Sequence, residues 1–225
     1  MNRTIKDCVY GLAVGDALGV PFEFRPRNTF NATTMTSGGV WNQSIGTWSD
    51  DTSMTIATCD ALRENNKKID LKAIQRNFVI WKDYDSYTAH NNTFDVGNTT
   101  AQALDSRKGL DDLYSNGNGS LMRIAPLIFI DCTDEEIAQV SAITHAHQYS
   151  IEACILYVRI GKELLKGKNL ETILDELEYS DTFARLKNLK NLDRDSIESD
   201  GYVVHTLEAS LWCILNTATY SSAVL

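Results

Sequence analysis

The sequence has 225 residues, of which 43% are hydrophobic and 23% charged, which is ordinary for a globular protein with an apolar core. Its 30 acidic and 21 basic residues give a formal net charge of −9. No basic tract relieves this charge, so the composition argues against a nucleic-acid-binding surface. Because nothing in the composition separates one half of the chain from the other, we expect a single domain over residues 1–225.

Five cysteines are scattered singly along the chain, without a CxxC pair or a His at zinc-ligand spacing: Cys8, Cys59, Cys132, Cys154 and Cys213. Such a set predicts reduced thiols in an intracellular protein. The first residues show no secretory signal pattern, and no segment approaches the roughly 20 apolar residues that a membrane span needs. We therefore expect a cytoplasmic protein with no membrane partner.

The first half of the chain shows the helical period, with apolar residues three and four positions apart. Three stripes predict helices: Ile5, Val9, Leu12 and Ala13; then Met54, Ala57, Ala61 and Leu62; then Leu71, Ile74, Phe78 and Trp81. Between the first two, Pro21 and Pro26 bracket a non-helical stretch that carries Glu23. Residues 28–48, rich in Thr, Asn, Ser and Gly, predict a long loop.

The second half continues in the same way. Residues 83–100 are polar and irregular, and a short helix is predicted near Thr100 to Ser106. Three further stripes predict helices: Ile137, Val140 and Thr144, opened by a Thr133–Glu136 capping box; Ile151, Ile155, Val158 and Leu165; and Val204, Leu207, Leu211 and Leu215. Residues 180–201 alternate in charge and predict a surface excursion, and Ser221 is the candidate cap of a last helix. With no alternating strand segments, the predicted fold class is all-α.

The segment TWSDDTSM, residues 47–54, places two adjacent aspartates before a buried helix. One interpretation is an N-cap, in which Asp50 or Asp51 accepts hydrogen bonds from the free amides of that helix. The other is a divalent-metal site, since Mg²⁺ and Mn²⁺ take hard oxygen ligands and a cap needs only one aspartate. Neighbouring carboxylates repel one another when buried, which favours the metal.

Three other motifs have two readings each. GDALG, Gly15 to Gly19, resembles a phosphate loop but fits close helix packing by small residues at least as well. SNGNG, residues 115–119, could turn its amides toward an anion or could be a flexible loop. His145, near a predicted helix end, is either a hydrogen-bonded structural residue or a ligand-contacting one.

The order of five motifs is more specific than any one of them: GLAVGDALGVPFEF, WSDDTSM, FDVGNTTAQAL, GNGSLMRIAPL and ITHAHQYSIEA. In this order they resemble the ADP-ribosylglycohydrolase family, of the dinitrogenase-reductase-activating glycohydrolase type. The resemblance extends from about residue 5 to the end of the sequence. An unrelated all-α protein, in which WSDD is only a cap, would need five coincident motifs.

The resemblance implies a compact all-α domain with a two-metal centre, Mg²⁺ or Mn²⁺, in a cleft that binds ADP-ribose. By matching positions, Ser49, Asp50 and Asp51 are metal ligands, and Glu23 is a ligand or a catalytic group together with the two aspartates. Gly97 and Asn98 match a loop beside the ribose and phosphates. The family loop that wraps the diphosphate and distal ribose matches Ser115, Asn116, Gly117, Asn118 and Gly119. A ligand-contacting histidine of the family matches His145.

The sequence departs from the family pattern in one respect. Family members carry a Gly-Gly-Asp-x-Asp-Thr segment after the helix that matches Val204 to Thr217, and no Asp-x-Asp-Thr occurs in these 225 residues. We therefore expect an incomplete metal centre in a domain incomplete at its C-terminus, with a complementing C-terminal fragment as one candidate partner. The leading functional hypothesis is a metal-dependent hydrolase that releases ADP-ribose from a protein side chain, arginine in particular. The alternative is an inactive ADP-ribose-binding or structural relative.

Overall fold

The computed structural model describes residues 3–225, and the regular secondary structure there is helical. The α-helices are α1 (Ile5–Gly19), α2 (Asp50–Glu64), α3 (Leu71–Tyr84), α4 (Asn98–Ser106), α5 (Asp134–Ala142), α6 (Gln148–Leu165), α7 (Leu170–Glu176), α8 (Val203–Asn216) and α9 (Tyr220–Val224). Short 3₁₀ segments cover Val20–Phe22, Leu121–Arg123, Ala125–Phe129, Asp181–Asn191 and Arg194–Ser196. The all-α prediction is confirmed.

Side chains at the helix starts explain where several helices begin. The predicted capping box at Thr133 and Glu136 is present, and a second one joins Thr4 to Asp7 at the start of α1. Asp70 caps α3 by accepting from the amides of its first turn. Helix α5 ends at Ala142, two residues before the predicted Thr144. The cap residue of α2, Ser49, is different because its side chain caps no amide.

The core forms where the apolar faces of the long helices meet. Helix α2 packs against α3, and α6 packs against both α5 and α8. Ala57 and Ala61 of α2 and Phe78 and Trp81 of α3 are buried in the same core cluster, and the small alanine side chains let the two helices approach closely. Burying one large apolar side chain contributes about 1.5–3 kcal/mol, so these faces determine how the helices pack.

Residues 180–201 are not the surface excursion that their charge pattern predicts. The 3₁₀ segment Asp181–Asn191 buries Phe183, Leu186 and Leu189 almost completely. Phe183 and Leu186 are three apart and so share a face of the first 3₁₀ turns, and Leu189 follows a kink at Asn188, where the backbone is not helical. The segment packs on α8. The charged residues between the three apolar ones hide this buried face in the sequence.

The last helix is capped by Thr219, whose side chain accepts from the amide of Ser222, and not by the predicted Ser221. Its first residue, Tyr220, donates a 2.6 Å hydrogen bond to the carbonyl of Gly11 in α1. A Cβ on Gly11 or Gly15 would lie within 4 Å of the Tyr220 ring or hydroxyl. The packing interpretation of Gly15 is thus confirmed, since small residues on α1 let α9 approach.

Extended structure is sparse in the described part of the chain, which holds isolated bridges only. The predicted loop 28–48 has one, between Gly38 and Gln43. Two others position the candidate site: Gly117 pairs with Tyr202, and Leu110 pairs with His145. In residues 3–225, each helix is too short or too polar to span a bilayer.

Candidate functional site

The first turn of α2 is capped by Asp16, a side chain from α1. One carboxylate oxygen of Asp16 accepts from the Ser49 hydroxyl at 2.8 Å, and the other accepts from the Thr52 hydroxyl at 2.6 Å. The backbone amides of Ser49 and Thr52 also donate to Asp16, at 3.0 Å each. Asp16 therefore satisfies amides at the helix start that would otherwise need a local cap.

Because Asp16 supplies the cap, the two aspartates of the WSDD motif are largely released from capping. Asp50 accepts from the adjacent Asp51 amide at 3.1 Å, and Asp51 receives a weak 3.3 Å bond from the Ser49 hydroxyl. Asp50 is buried and Asp51 is half-buried. Their remaining lone pairs are available to a ligand, so the cap reading does not account for the adjacent aspartates.

Two further carboxyl groups join this cluster, Glu23 from the turn after α1 and Asp95 from the loop before α4. The two groups are close enough for the charge of Asp95 to act on Glu23, and Glu23 also accepts from the Trp41 indole at 2.5 Å. The backbone is left-handed at Asp95, with φ of 57°, and at Phe24, with φ of 60°. Non-glycine residues seldom adopt this conformation, and such positions are concentrated at functional sites.

The electrostatics of the cluster are those of buried acids without a counter-ion. Burial, followed by the charge of Asp95, raises the pKa of Glu23 to about 8. Burial and the charge of Asp16 raise the pKa of Asp51 to about 7. Burial and the charge of Asp51 hold the pKa of Asp50 well above its usual range. Burial likewise raises the pKa values of Asp16 and Asp95.

The residues of the cluster fit a divalent cation in their chemistry, although they do not converge on one point. In residues 3–225 no Lys, Arg or His forms an ion pair with any of the five carboxylates. The donors are carboxylate and hydroxyl oxygens, which Mg²⁺ and Mn²⁺ prefer. No three His, Cys, Asp or Glu side chains of this stretch are arranged to hold a metal ion.

The loop Ser115–Gly119 lies between α4 and α8 and is held by backbone bonds at both ends. Its Asn118 amide donates to the Gly201 carbonyl, and its Asn116 carbonyl accepts from the Val203 amide, at 2.9 Å each. Ser115 and Asn116 are buried, and Asn116 also accepts from the Ser150 hydroxyl. This is a fixed loop and not a flexible one. The Gly117 amide lies between the two cross-links and takes no part in them.

The start of α4 adjoins this loop. Gly97 and Asn98, both exposed, begin the helix, and no side chain caps its first amides. A Cβ on Gly119 would lie 3.0 Å from the Thr100 hydroxyl, so the loop and the helix start are in close contact. Uncapped amides at a helix start attract anions. Asp95, two residues before Gly97, links this corner to the carboxylate cluster.

His145 lies beneath the loop and is only 2% exposed. A Cβ on Gly119 would come within 2.6 Å of its Cε1 atom, so only glycine fits over the ring. Burial, and then the charge of Arg123, lower the pKa of His145 to about 3, which makes it neutral. Its Nδ1 atom lies 2.8 Å from the Thr144 hydroxyl. The structural reading of His145 is therefore supported by its burial and its hydrogen bond.

These features occur in a chain whose family can be shown by sequence comparison. The family model described as ADP-ribosylglycohydrolase matches residues 2–225. The chain belongs to the ADP-ribosylglycohydrolase family. The resemblance inferred from the five ordered motifs is thereby confirmed.

Named proteins with ADP-ribosyl hydrolase titles are similar along most of this chain. It is 32% identical to the ADP-ribosylarginine hydrolase Tri1 of Pseudomonas putida (strain GB-1), over 98% of this chain and 63% of that protein. It is 27% identical to the ADP-ribosyl-[dinitrogen reductase] glycohydrolase of Rhodospirillum rubrum, over 96% of this chain and 75% of that protein. The chain thus spans 63% and 64% of the length of the two Tri1 proteins that it matches.

The fold of the ADP-ribosylglycohydrolase family is also found among solved structures. A structure titled "ADP-ribosylglycohydrolase-related protein complex" superposes with a TM-score of 0.79 at 25% identity. It covers 96% of this chain and 76% of the other. The helical architecture described above is therefore that of the family.

Sequence reasoning missed two members of the carboxylate cluster, Asp16 and Asp95. Asp16 stands in the small-residue segment GDALG and Asp95 in FDVGN, and both segments were noted for their glycines. The available signal was an acidic residue among apolar neighbours, where an unpaired charge is costly to bury. Of the predicted residues, the structure brings Glu23, Asp50 and Asp51 into one cluster. It brings Gly97 and Asn98 to the edge of the loop that covers His145.

Proposed function

We propose that this chain carries the site of an ADP-ribosyl hydrolase, which cleaves the glycosidic bond between ADP-ribose and a modified protein side chain, arginine in particular. The observation that carries the proposal is the group of buried and half-buried carboxylates that have no basic partner within residues 3–225, next to the uncapped amides of α4. Two similar proteins are named ADP-ribosylarginine hydrolases, which supports arginine as the linked residue.

In this proposal the amides of the loop and of α4 hold the diphosphate. Backbone N–H groups bind an anion without adding net charge, so a protein of charge −9 can take an anionic ligand. Gly97 and Asn98 have this role at the start of α4, and in the Ser115–Gly119 loop the amides left free, such as that of Gly117, share it. The amides of Ser115 and Asn118 already donate to the carbonyls of Asp112 and Gly201. The glycines of the two segments let the ligand approach the backbone closely.

The carboxylates handle the proton and the developing positive charge at the ribose. Cleavage at the anomeric carbon passes through an oxocarbenium-like state, which negatively charged groups stabilise. Glu23, whose pKa is raised to about 8, is suited to hold a proton near neutral pH and transfer it. Asp50, Asp51 and Ser49 are the proposed ligands of Mg²⁺ or Mn²⁺. When bound, such an ion would orient the ribose hydroxyls and activate a water molecule.

One observation favours a second candidate, an ADP-ribose-binding protein that does not hydrolyse its ligand. No three metal-binding side chains of residues 3–225 are arranged to hold an ion as they stand. The amides and the carboxylates belong to different parts of the site, so binding can persist where hydrolysis does not. The two candidates differ in turnover and not in affinity.

The cytoplasm is the proposed compartment, and ADP-ribosylated protein is the proposed partner. All five cysteines are free thiols, as expected from the sequence, which fits a reducing environment. A segment that carries an Asp-x-Asp-Thr motif is the remaining candidate partner, since each added carboxylate would strengthen the binding of a divalent ion.

The melting temperature of the chain with ADP-ribose, with and without Mg²⁺ or Mn²⁺, tests the proposal. A ligand at one hundred times its dissociation constant stabilises a protein by about 2.7 kcal/mol. We expect a rise that needs the ion, and ADP-ribosyl-arginine hydrolysis separates the enzyme from the binding protein. Asp50→Ala and Asp51→Ala should both abolish the ion-dependent rise while the chain stays folded.

Glu64→Ala is the matched control, because Glu64 lies on the same helix but pairs with Arg76 at the surface. It should keep the full ion-dependent response. An unchanged response in both aspartate variants would refute the assignment of these residues. The absence of any rise with either ion would refute a complete ADP-ribose site in this chain.

A further inference from the structure

A buried arginine without an acidic partner stands behind His145. Arg123 has no exposed surface, and its guanidinium lies 4.5 Å from the ring centre of Phe78. It donates to the Thr144 hydroxyl at 2.8 Å and to the Val140 carbonyl at 3.3 Å. Across residues 3–225, it forms no ion pair with an acidic side chain. Burying a charge without a counter-ion is costly, so its position calls for a reason.

The hydroxyl of Thr144 forms hydrogen bonds with both the Arg123 guanidinium and the His145 imidazole. A guanidinium can only donate, so the Thr144 oxygen must accept from Arg123. The hydroxyl proton then needs an acceptor, and His145 Nδ1 at 2.8 Å is the one that the described residues provide. If Nδ1 carried a proton instead, the buried Thr144 hydroxyl would face two donors, and its own proton would have no acceptor.

The other ring nitrogen of His145 faces the loop. A Cβ on Gly119 would lie 3.1 Å from Nε2, and one on Gly117 would lie 3.9 Å away. In residues 3–225 Nε2 of His145 has no hydrogen-bond partner. Among those residues, Nε of Arg123 is the only side-chain nitrogen or oxygen that is both fully buried and unpaired, so Nε2 of His145 is not fully buried. Nε2 therefore keeps access to the space at the loop. Burial and the charge of Arg123 keep the ring neutral.

We propose that Arg123 and Thr144 are positioning residues that fix His145 as its Nε2–H tautomer, so that a neutral donor points from beneath the Ser115–Gly119 loop toward an oxygen of bound ADP-ribose. The identity of the ligand rests on the proposed function, whereas the tautomer does not. The arrangement needs a side chain at position 123 that donates and cannot accept, because the Thr144 oxygen then accepts from it and directs its own proton at the lone pair of Nδ1.

The tautomer can be measured in the free chain by NMR. The protein contains four histidines, so ¹⁵N-labelled imidazoles can be resolved and His145 assigned by its loss in His145→Gln. We expect Nε2–H in the wild type, a shift toward Nδ1–H in Thr144→Val, and a return to Nε2–H in Thr144→Ser. Circular dichroism checks that each variant is folded. Nδ1–H in the wild type would overturn the proposal, even if the valine variant failed to fold.

Calorimetric titration with ADP-ribose tests the donor itself. The Thr144→Val change should weaken binding by about tenfold, and Thr144→Ser should bind like the wild type. Equal affinity of the valine variant and the wild type would overturn the role of the donor. A wild-type chain with the Nε2–H tautomer but no affinity for ADP-ribose would contradict the proposed function and this ligand, and would leave the tautomer assignment intact.

Discussion

At the scale of single residues, Asp16 has a role in the carboxylate cluster unlike that of its neighbours. It accepts hydrogen bonds from two amides and two hydroxyls, although Ser49 is 33 positions further along the chain. The other four carboxyl groups receive far fewer donors. A carboxylate that accepts several hydrogen bonds has few lone pairs left for a ligand. Asp16 is therefore a support for the site, whereas Asp50 and Asp51 have free lone pairs.

The first prediction concerns this support. Asp16→Asn puts an amide group against donors at the start of α2 and should lower the free energy of unfolding. A lost cap costs about 0.5–2 kcal/mol. Relief of repulsion toward Asp51 offsets part of this, so we expect a net loss of about 1 kcal/mol by urea denaturation. Asp111→Asn, at an exposed position, is the control. A variant as stable as that control would contradict the capping role.

The aspartates of the WSDD motif could be predicted from sequence because their adjacency is itself the signal. Asp16 could not, since a cap donated by another helix depends on where the two helices dock. Asp95 is similar: its position beside Glu23 depends on a left-handed backbone turn that no residue type in FDVGN requires. The sequence therefore does not predict the members of the site that reach it only through tertiary packing, Asp16 and Asp95.

At the scale of elements, the helices with a period near 3.6 were predicted well and the 3₁₀ segment was not. Helix α2 buries its whole predicted stripe, and α3 and α8 bury theirs except for the half-buried Leu71 and Leu215. The stripe predicted for α6 was only partly right, because Leu165 is exposed and Ile151 and Ile155 are half-buried. In Asp181–Asn191 the apolar residues recur every three positions between charged ones. A search for the α-helical period passes over such a pattern.

The second prediction follows from this burial. Leu186→Ala removes a side chain that is 1% exposed and should lower the free energy of unfolding by about 2–5 kcal/mol. The neighbouring Lys187→Ala, at an exposed position of the same segment, should change it by about 0.5 kcal/mol or less. If denaturant titrations gave equal effects for the two substitutions, Leu186 would not be buried and the segment would be a surface excursion.

The third prediction compares two glycines of the Ser115–Gly119 loop. A Cβ on Gly119 would meet His145 at 2.6 Å, whereas one on Gly117 would meet nothing closer than 3.8 Å. Gly119→Ala should therefore lower the melting temperature, with a loss of about 1–3 kcal/mol from overpacking, and Gly117→Ala should leave it nearly unchanged. If both variants melted like the wild type, the loop would not be packed on His145 as described.

At the scale of the whole molecule, the acidic cluster makes stability depend on pH and on cations. The folded pKa values of about 8 for Glu23 and about 7 for Asp51 lie above those of the unfolded chain. Between pH 6.5 and 8 the folded state thus holds protons that the unfolded state has released. Stability therefore falls as pH rises through this window. Below it, the neutral buried His145 acts in the opposite direction.

The fourth prediction measures this slope. In a chelating buffer the free energy of unfolding should fall from pH 6.5 to 8, because the carboxyl groups ionise without a counter-ion. Glu23→Gln should flatten the slope, and added Mn²⁺ should restore stability at pH 8 in the wild type. Urea denaturation at several pH values gives the data. A wild-type slope that is flat or positive in chelator would show that these carboxylates are not strained by their burial.

The cap that α1 provides for α2 has a further consequence for folding. A detached peptide with the sequence of α2 has only Ser49, Asp50 or Asp51 with which to start its helix. When α1 docks, Asp16 takes over that task and the two aspartates are released from capping. Site assembly and helix docking are therefore one cooperative event, and a folding intermediate with α1 undocked would have a formed α2 but no binding site.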